Sequence, residues 1–223
     1  MIHLAPLIQI VDAALVSATQ RAGPHLACRP GCTQCCHGIF PISHQDAARL
    51  REGLIILETT DPAKATRIRI RAAESRTRLT PHFPGNPATG ILNPDYESSA
   101  LFTDESEASI GDNEPCPVLD PTTGTCDLYE SRPIVCRTFG PPMRTPEGNL
   151  ATCELCFIHA TTDEIAASEL DPAIPTLEAA SNEAFNAAHS LNSETIVAFA
   201  LSEPKSARST LPSKSFPHTM ETT

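Results

Sequence analysis

The chain has no tryptophan, two tyrosines and eight phenylalanines in 223 residues. Pleated strands draw on aromatic and β-branched side chains, so this thin supply argues against a large sheet core and leaves Ala, Leu, Ile and Val to fill a helical one. Positive charge is also short, with 16 Lys and Arg against 27 Asp and Glu and a formal net charge of −11. A nucleic-acid footprint needs clustered cations that displace counterions, so none is expected. Long apolar runs are missing as well. No segment reaches the roughly 18 apolar residues that a bilayer-crossing helix needs, so no membrane partner is expected. The apolar opening stretch, residues 1–23, is interrupted by Gln9 and Asp12 and has no Lys or Arg ahead of it, unlike an export signal. Its Leu4, Leu7, Ile8, Val11 and Leu15 recur at helical spacing instead. These features predict a cytoplasmic chain whose thiols stay reduced.

Helical signals account for much of the remainder. Ser43 stands where an N-cap belongs, ahead of Ala47, Leu50, Leu54 and Leu57 at spacings of three and four. Asp61 and Pro62 read as the cap and first residue of another helix that runs to Leu79 through Ile68 and Ile70. From 81 to 115 Pro and Gly recur, Asp95, Glu97, Asp104, Glu105, Glu107, Asp112 and Glu114 accumulate, and no Lys or Arg occurs. Such a segment lacks the apolar surface to order itself, and it reads as a long loop pinned in places by Phe83, Ile91, Leu92, Leu101 and Phe102. One helical turn is expected over 127–131, closed by Arg132 and Pro133. Further helices are expected over 164–170, 172–191 and 194–201, and 203–223 reads as a disordered tail. The expected architecture is mainly α, a small helical domain with two cysteine-rich metal-binding loop blocks, a long acidic loop and little or no β. In chain order it has an N-terminal helix over 1–23, a cysteine-cluster domain over 24–160 with the acidic insertion at 80–115, and C-terminal helices over 161–202 packed on the same domain.

The nine cysteines carry the chemistry. Cys28, Cys32, Cys35 and Cys36 form one block, and Cys116, Cys126, Cys136, Cys153 and Cys156 a second. Two intervening residues form a turn that points both sulfurs at one ion, a spacing met by Cys32 with Cys35 and by Cys153 with Cys156. The adjacent Cys35 and Cys36 point apart in an extended chain, so they serve different ions or different irons of one cluster. A disulfide framework would leave an odd thiol over and is unusual without an export signal. All nine are therefore candidate metal ligands, enough for two four-ligand sites with one spare or for one cluster site with structural extras. Four thiolates suit zinc and iron alike, including a [4Fe-4S] cluster. Arg132 and Arg137 flank Cys136, and their guanidinium groups could donate to sulfurs of a negatively charged thiolate site; the alternative for Arg132 is a surface pair with Asp127 or Glu130. His37 follows the first block directly, but the cysteines already supply enough donors. The spacing of Cys28, Cys32 and Cys35 is also that of radical S-adenosylmethionine enzymes, whose alternation of strands and helices this chain lacks.

The runs CRPGCTQCCHGIFPIS, from Cys28, and CPVLDPTTGTCDLYESRPIVCRTFG, from Cys116, resemble the YkgJ-like cysteine-cluster family with its CxxCxxCC domain. Cys116 with Pro117, Cys126, Tyr129, Arg132 with Pro133, Cys136 with Arg137, and Phe139 fall where the family pattern has them, while three residues rather than two separate Cys28 from Cys32. The resemblance implies a domain that chelates zinc or iron, with a metal ion as its partner and no defined reaction. By analogy with cysteine clusters in flagellin lysine N-methylases, one alternative is a redox or transferase-type enzyme using an iron-sulfur cluster. Another is a metal-stapled interaction module that offers the acidic loop to a basic protein. The residues show no Ser, His and Asp constellation, phosphate-binding glycine loop or His-Glu-x-x-His helix, so they assign no catalysis.

Overall fold

The computed structural model describes residues 4–102, 111–145, 147–191 and 193–202. The expected tail over 203–223 and the acidic residues Asp104, Glu105 and Glu107 lie outside the described residues. Among the described residues seven helices make up the body: α1 (Leu4–Ala22), α2 (His44–Thr60), α3 (Pro62–Leu79), α4 (Ile134–Thr138), α5 (Thr162–Ala167), α6 (Ile174–His189) and α7 (Val197–Leu201). Among the described residues strands occur only as four antiparallel pairs, two residues to a strand. β1 (Ile42–Ser43) pairs with β8 (Glu194–Thr195), β2 (Gly85–Asn86) with β3 (Ile91–Leu92), β4 (Leu119–Asp120) with β5 (Thr125–Cys126), and β6 (Met143–Arg144) with β7 (Leu150–Ala151). The fold is mainly α with little β, as the composition predicts.

Local chemistry sets the α2–α3 hairpin. The Ser43 hydroxyl accepts the Asp46 amide at 3.0 Å, the Asp61 carboxylate accepts the Lys64 amide at 2.9 Å, and Pro62 occupies the first turn of α3. The two helices bury Ala47, Leu50, Leu54, Ala65, Ile68 and Ala72 against each other and against α7, all five of whose residues are buried. Ile70, read with Ile68 as part of the α3 pattern, is instead 52% exposed. A second layer packs α1 on α4 and α6, through Leu7, Val11, Ala18, Ile134 and Ile174.

Three expectations change. The helix expected over 194–201 begins only at Val197, because the β-branched run Thr195, Ile196, Val197 first extends to pair β8 with β1. Pro133 closes the 3-10 turn Tyr129–Ser131 but also caps a helix that sequence reading missed, α4, since its fixed φ suits a helix start as well as a helix stop. The acidic segment is also more than a pinned loop. It makes the β2–β3 hairpin and buries Phe83, Leu92 and Leu101 with Leu79 and Phe199, the two phenylalanine rings stacked at 4.0 Å. Judged alone the segment is too polar to fold, but α3 and α7 supply a ready apolar surface for its few large side chains.

Arginines on α2 and α3 grip the second cysteine block by its backbone. Arg71 donates to the Pro117 carbonyl at 2.8 Å and pairs with Asp127 at 2.8 Å, joined there by Lys64 at 3.6 Å. Arg49 donates to the Arg132 carbonyl at 3.1 Å and to that of Glu130. At Gly53 a Cβ would fall 2.6 Å from the Ser131 Cβ, so glycine lets α2 approach the Tyr129–Ser131 turn.

Candidate metal centre

The two cysteine blocks are laid side by side. The Cys32 amide bonds the Arg29 carbonyl at 2.9 Å across a turn in which Gly31 takes φ +90°, and a 3-10 turn over Gln34–Cys36 follows. The Cys116 amide then bonds the Cys36 carbonyl at 2.8 Å, and the Gly38 amide that of Glu114 at 3.0 Å. The β4–β5 hairpin folds its tip back on the first block, where a Cβ on Gly124 would lie 3.6 Å from Gly31. Farther along, Cys153 and Cys156 close a turn, with the Cys156 amide on the Cys153 carbonyl at 2.9 Å. That turn is tied to the first block by the Phe157 amide on the His25 carbonyl at 2.8 Å and by Gln34 Nε2 on Glu154 Oε1 at 2.5 Å.

All nine cysteines are free thiols, and their mutual electrostatics sort them into two groups. Cys28 is pushed up to about 12, first by loss of hydration around its sulfur and then by Cys156, Cys32 and Cys153, with a hydrogen bond between the Cys28 and Cys156 thiols. Cys153 is raised by burial and by Cys156 and Cys32, against the Leu155 amide that faces its sulfur. The other five meet elsewhere. Burial raises Cys116 to about 12 and Cys136 well above the ordinary thiol range, with Cys126 and Cys35 adding repulsion at both. Cys36 donates its thiol proton to Cys35, which with smaller help from Arg132 brings Cys35 down to about 6, while Cys36 itself rises in the presence of Cys35, Cys116 and Cys126. Cys32 and Cys35, a matched pair by spacing, thus fall into different groups.

The donor chemistry fits a thiophilic metal. Each group takes sulfurs from both blocks, and backbone amides are aimed at sulfur: Val118 and Leu119 at Cys116, Leu128 at Cys126, Leu155 at Cys153, and Ala27 at Cys156 at 3.4 Å. Amide donors around thiolates offset the charge that four of them bring to one ion. Among the described residues no three Cys, His, Asp or Glu side chains already converge as they would around a bound ion.

Neighbouring residues have distinct placements. Arg132 lies over the Tyr129 ring, 3.8 Å from its centroid, and its charge favours the thiolates of Cys35 and Cys126. Arg137 turns its guanidinium to Asp12 at 2.6 Å and to the carbonyls of Glu130 and Arg132 at 2.6 and 3.3 Å. Asp127, one of the two carboxylates offered as the alternative partner of Arg132, is held by Arg71 and Lys64. His37 pairs by backbone with Pro115 and lines a cleft of about 380 Å³ together with Gln34, Cys35, Cys136, Cys153 and Glu154.

Two supporting residues had no clear signal in the sequence. Asp46, raised to about 6 chiefly by burial, accepts the Ile134 amide at 3.3 Å and so anchors the start of the helix that carries Cys136. Gly140, at φ +119°, leaves room for Cys28, whose Sγ would be 2.8 Å from a Cβ there. Gly140→Ala is expected to weaken metal retention in the Cys28 group at least tenfold and leave the other group intact, read by chelator competition on the metal-loaded protein. Equal weakening of both groups would contradict this local role.

No curated protein matches the chain, and no solved structure does. Among the described residues no helix is long and apolar enough to cross a membrane. A family model described as "CxxCxxCC: Putative zinc- or iron-chelating domain" matches residues 27–156, more than half of the chain and all nine cysteines, and the chain belongs to that family.

Proposed function

We propose that the chain chelates zinc or iron at two centres and that the metal is chiefly structural, joining the two cysteine blocks and through them the helices. The observation that carries this reading is the division of nine thiols into a group of four and a group of five, each drawing on both blocks. The first centre would use Cys28, Cys32, Cys153 and Cys156. The second would use Cys116, Cys126 and Cys136 with one of Cys35 and Cys36, supported by Arg132. Zinc would be held as a closed four-thiolate site, and iron either singly or in a cluster.

Elemental analysis of full-length protein purified anaerobically from cells supplied with both metals tests the proposal. The expected result is two metal equivalents per chain if zinc is bound, in a colourless sample, or iron with broad visible absorbance. Fewer than two metal equivalents per chain would overturn the two-centre reading. The cleft beside Cys35, Cys136 and Cys153 favours one second reading, an iron-sulfur enzyme with room for a small substrate. Visible colour with stoichiometric iron and inorganic sulfide is the result that reading requires.

A further inference from the structure

The cleft of about 380 Å³ lies among segments whose backbones are pinned. On one side His37 bridges Pro115, and the Gly38 and Ile39 amides bond the Glu114 and Gly111 carbonyls at 3.0 and 3.2 Å. On another, α4 and its C-cap present Val135 and Phe139, with the Phe139 amide on the Val135 carbonyl at 3.1 Å. Walls of this kind give a largely preformed cavity, and its volume falls in the range of small-molecule sites. The lining is chemically one-sided. Ile39, Phe40, Val135 and Phe139 supply apolar surface, and the Phe139 side chain is exposed. Glu154 is the only Asp, Glu, Lys or Arg in that lining. Gln34 Nε2 holds its Oε1 at 2.5 Å, and Oε2 has no partner among the described residues. Arg132, the nearest cation to Cys35, is stacked on Tyr129 and takes no part in the lining.

A carboxylate beside aromatic and aliphatic surface suits a cation on an apolar body. The carboxylate accepts charge-assisted hydrogen bonds, an aromatic face attracts the cation, and the walls take the hydrocarbon. An anion would meet Glu154 with no cation in the lining to offset it. Volume decides what kind of cation fits. At about 30 Å³ for the share of one water molecule in the liquid, the cleft has room for about a dozen non-hydrogen atoms. A lysine side chain, a four-carbon stem with its ammonium, would fill less than half of it. We propose that the cleft is a binding site for a free organic amine of about a dozen non-hydrogen atoms, held with its ammonium group on Glu154 and its apolar body against Phe139, Val135 and Ile39. The site is independent of which metal the chain holds and of the number of metal centres.

The chain has no tryptophan, so an indole probe can be followed without background from the protein. Tryptamine is a primary amine on an indole, of about the size that the cleft holds. A low concentration of it is titrated with excess full chain, as purified and under reducing conditions, and the anisotropy of its fluorescence is read. The expected result is saturable one-site binding with a Kd on the order of 1 mM or tighter, as suits so small a ligand. Glu154→Gln and Phe139→Ala should each weaken it roughly tenfold. Glu154→Gln is an isosteric change of an exposed side chain, so it carries the test even where Phe139→Ala does not fold. Glu183→Gln, which removes an exposed carboxylate of α6 outside the lining, should leave the binding unchanged. Indole-3-propionate, with a carboxylate in place of the amine, should not bind. Absence of saturable binding overturns the proposal, as does equal binding of indole-3-propionate. Equal weakening by Glu154→Gln and Glu183→Gln overturns it by reducing the effect to diffuse attraction toward an acidic chain. Displacement of tryptamine by an equal concentration of Nα-acetyl-lysine amide overturns it as well, by moving the ligand from a free amine to a lysine side chain.

Discussion

Stripping metal from the reduced full-length protein is expected to unfold the region over 24–160 and to lower its melting midpoint by roughly 20 °C or more. Structural zinc contributes on the order of 10 kcal/mol in small domains, comparable with the whole stability of an ordinary one. At this chain length each kcal/mol moves the midpoint by about 2–4 °C. Other contacts between the two blocks are few and mostly partly exposed, among them the His25–Phe157 ring stack and the Ala27 amide on the Cys156 sulfur. Between residues 25–39 and the rest of the cysteine region run the His37–Pro115 bridge, a handful of backbone hydrogen bonds and the exposed Gln34–Glu154 contact. The buried cluster beside them consists of Ala22, Cys153, Cys156 and Phe157, so half of its members are thiols. Without metal, Cys28, Cys116 and Cys136, whose burial disfavours the thiolate, offer only weak thiol hydrogen bonds and packing in place of metal bonds. The α2–α3–α7 core has its own apolar contacts and is expected to retain part of its helicity. Circular dichroism before and after chelation, with hydrogen exchange to localise the loss, reads the result. A stripped protein with full helix content and an unchanged midpoint would refute the staple.

Features written within a few residues were legible in the sequence. The α2 and α3 caps are contacts from residue i to i+3, and both helices start where Ser43 and Asp61 place them. What depended on distant partners was not. β8 exists because β1 lies beside it, and the acidic segment folds because α3 and α7 receive Phe83, Leu92 and Leu101. The cysteines divide in the same way. Their number and chemistry announced metal binding, and the Cys153–Cys156 turn follows its spacing. The separation of Cys32 from Cys35 depends on the 3-10 turn at Gln34 and on the return of the β4–β5 hairpin, neither of which the spacing encodes. Adjacency in sequence also says little about Arg137. It follows Cys136 directly, yet α4 directs its side chain to α1.

That contact yields an asymmetric prediction: Asp12→Ala should destabilise the metal-loaded protein more than Arg137→Met. The Arg137 side chain is only 2% exposed, whereas that of Asp12 is 45% exposed. Removing Asp12 leaves a buried guanidinium with its carbonyl partners and only the Coulombic attraction of Asp46 in place of a direct ion pair, a situation that costs about 3 kcal/mol. Removing the guanidinium leaves a carboxylate that water can reach. It also leaves the carbonyls of Glu130 and Arg132 bonded to Arg49, so little is stranded. Methionine fills most of the vacated volume, and the expected loss is about 1 kcal/mol. The midpoints should fall by about 6–12 °C for Asp12→Ala and about 2–4 °C for Arg137→Met, and the double variant should resemble Arg137→Met, since the guanidinium that needs Asp12 is gone. Metal content supplies a second readout, because a guanidinium engaged with Asp12 and two carbonyls can be lost without loss of either metal equivalent. If Arg137→Met is the more damaging change, or if it releases metal while Asp12→Ala does not, then Arg137 acts on the thiolates as its place beside Cys136 suggests.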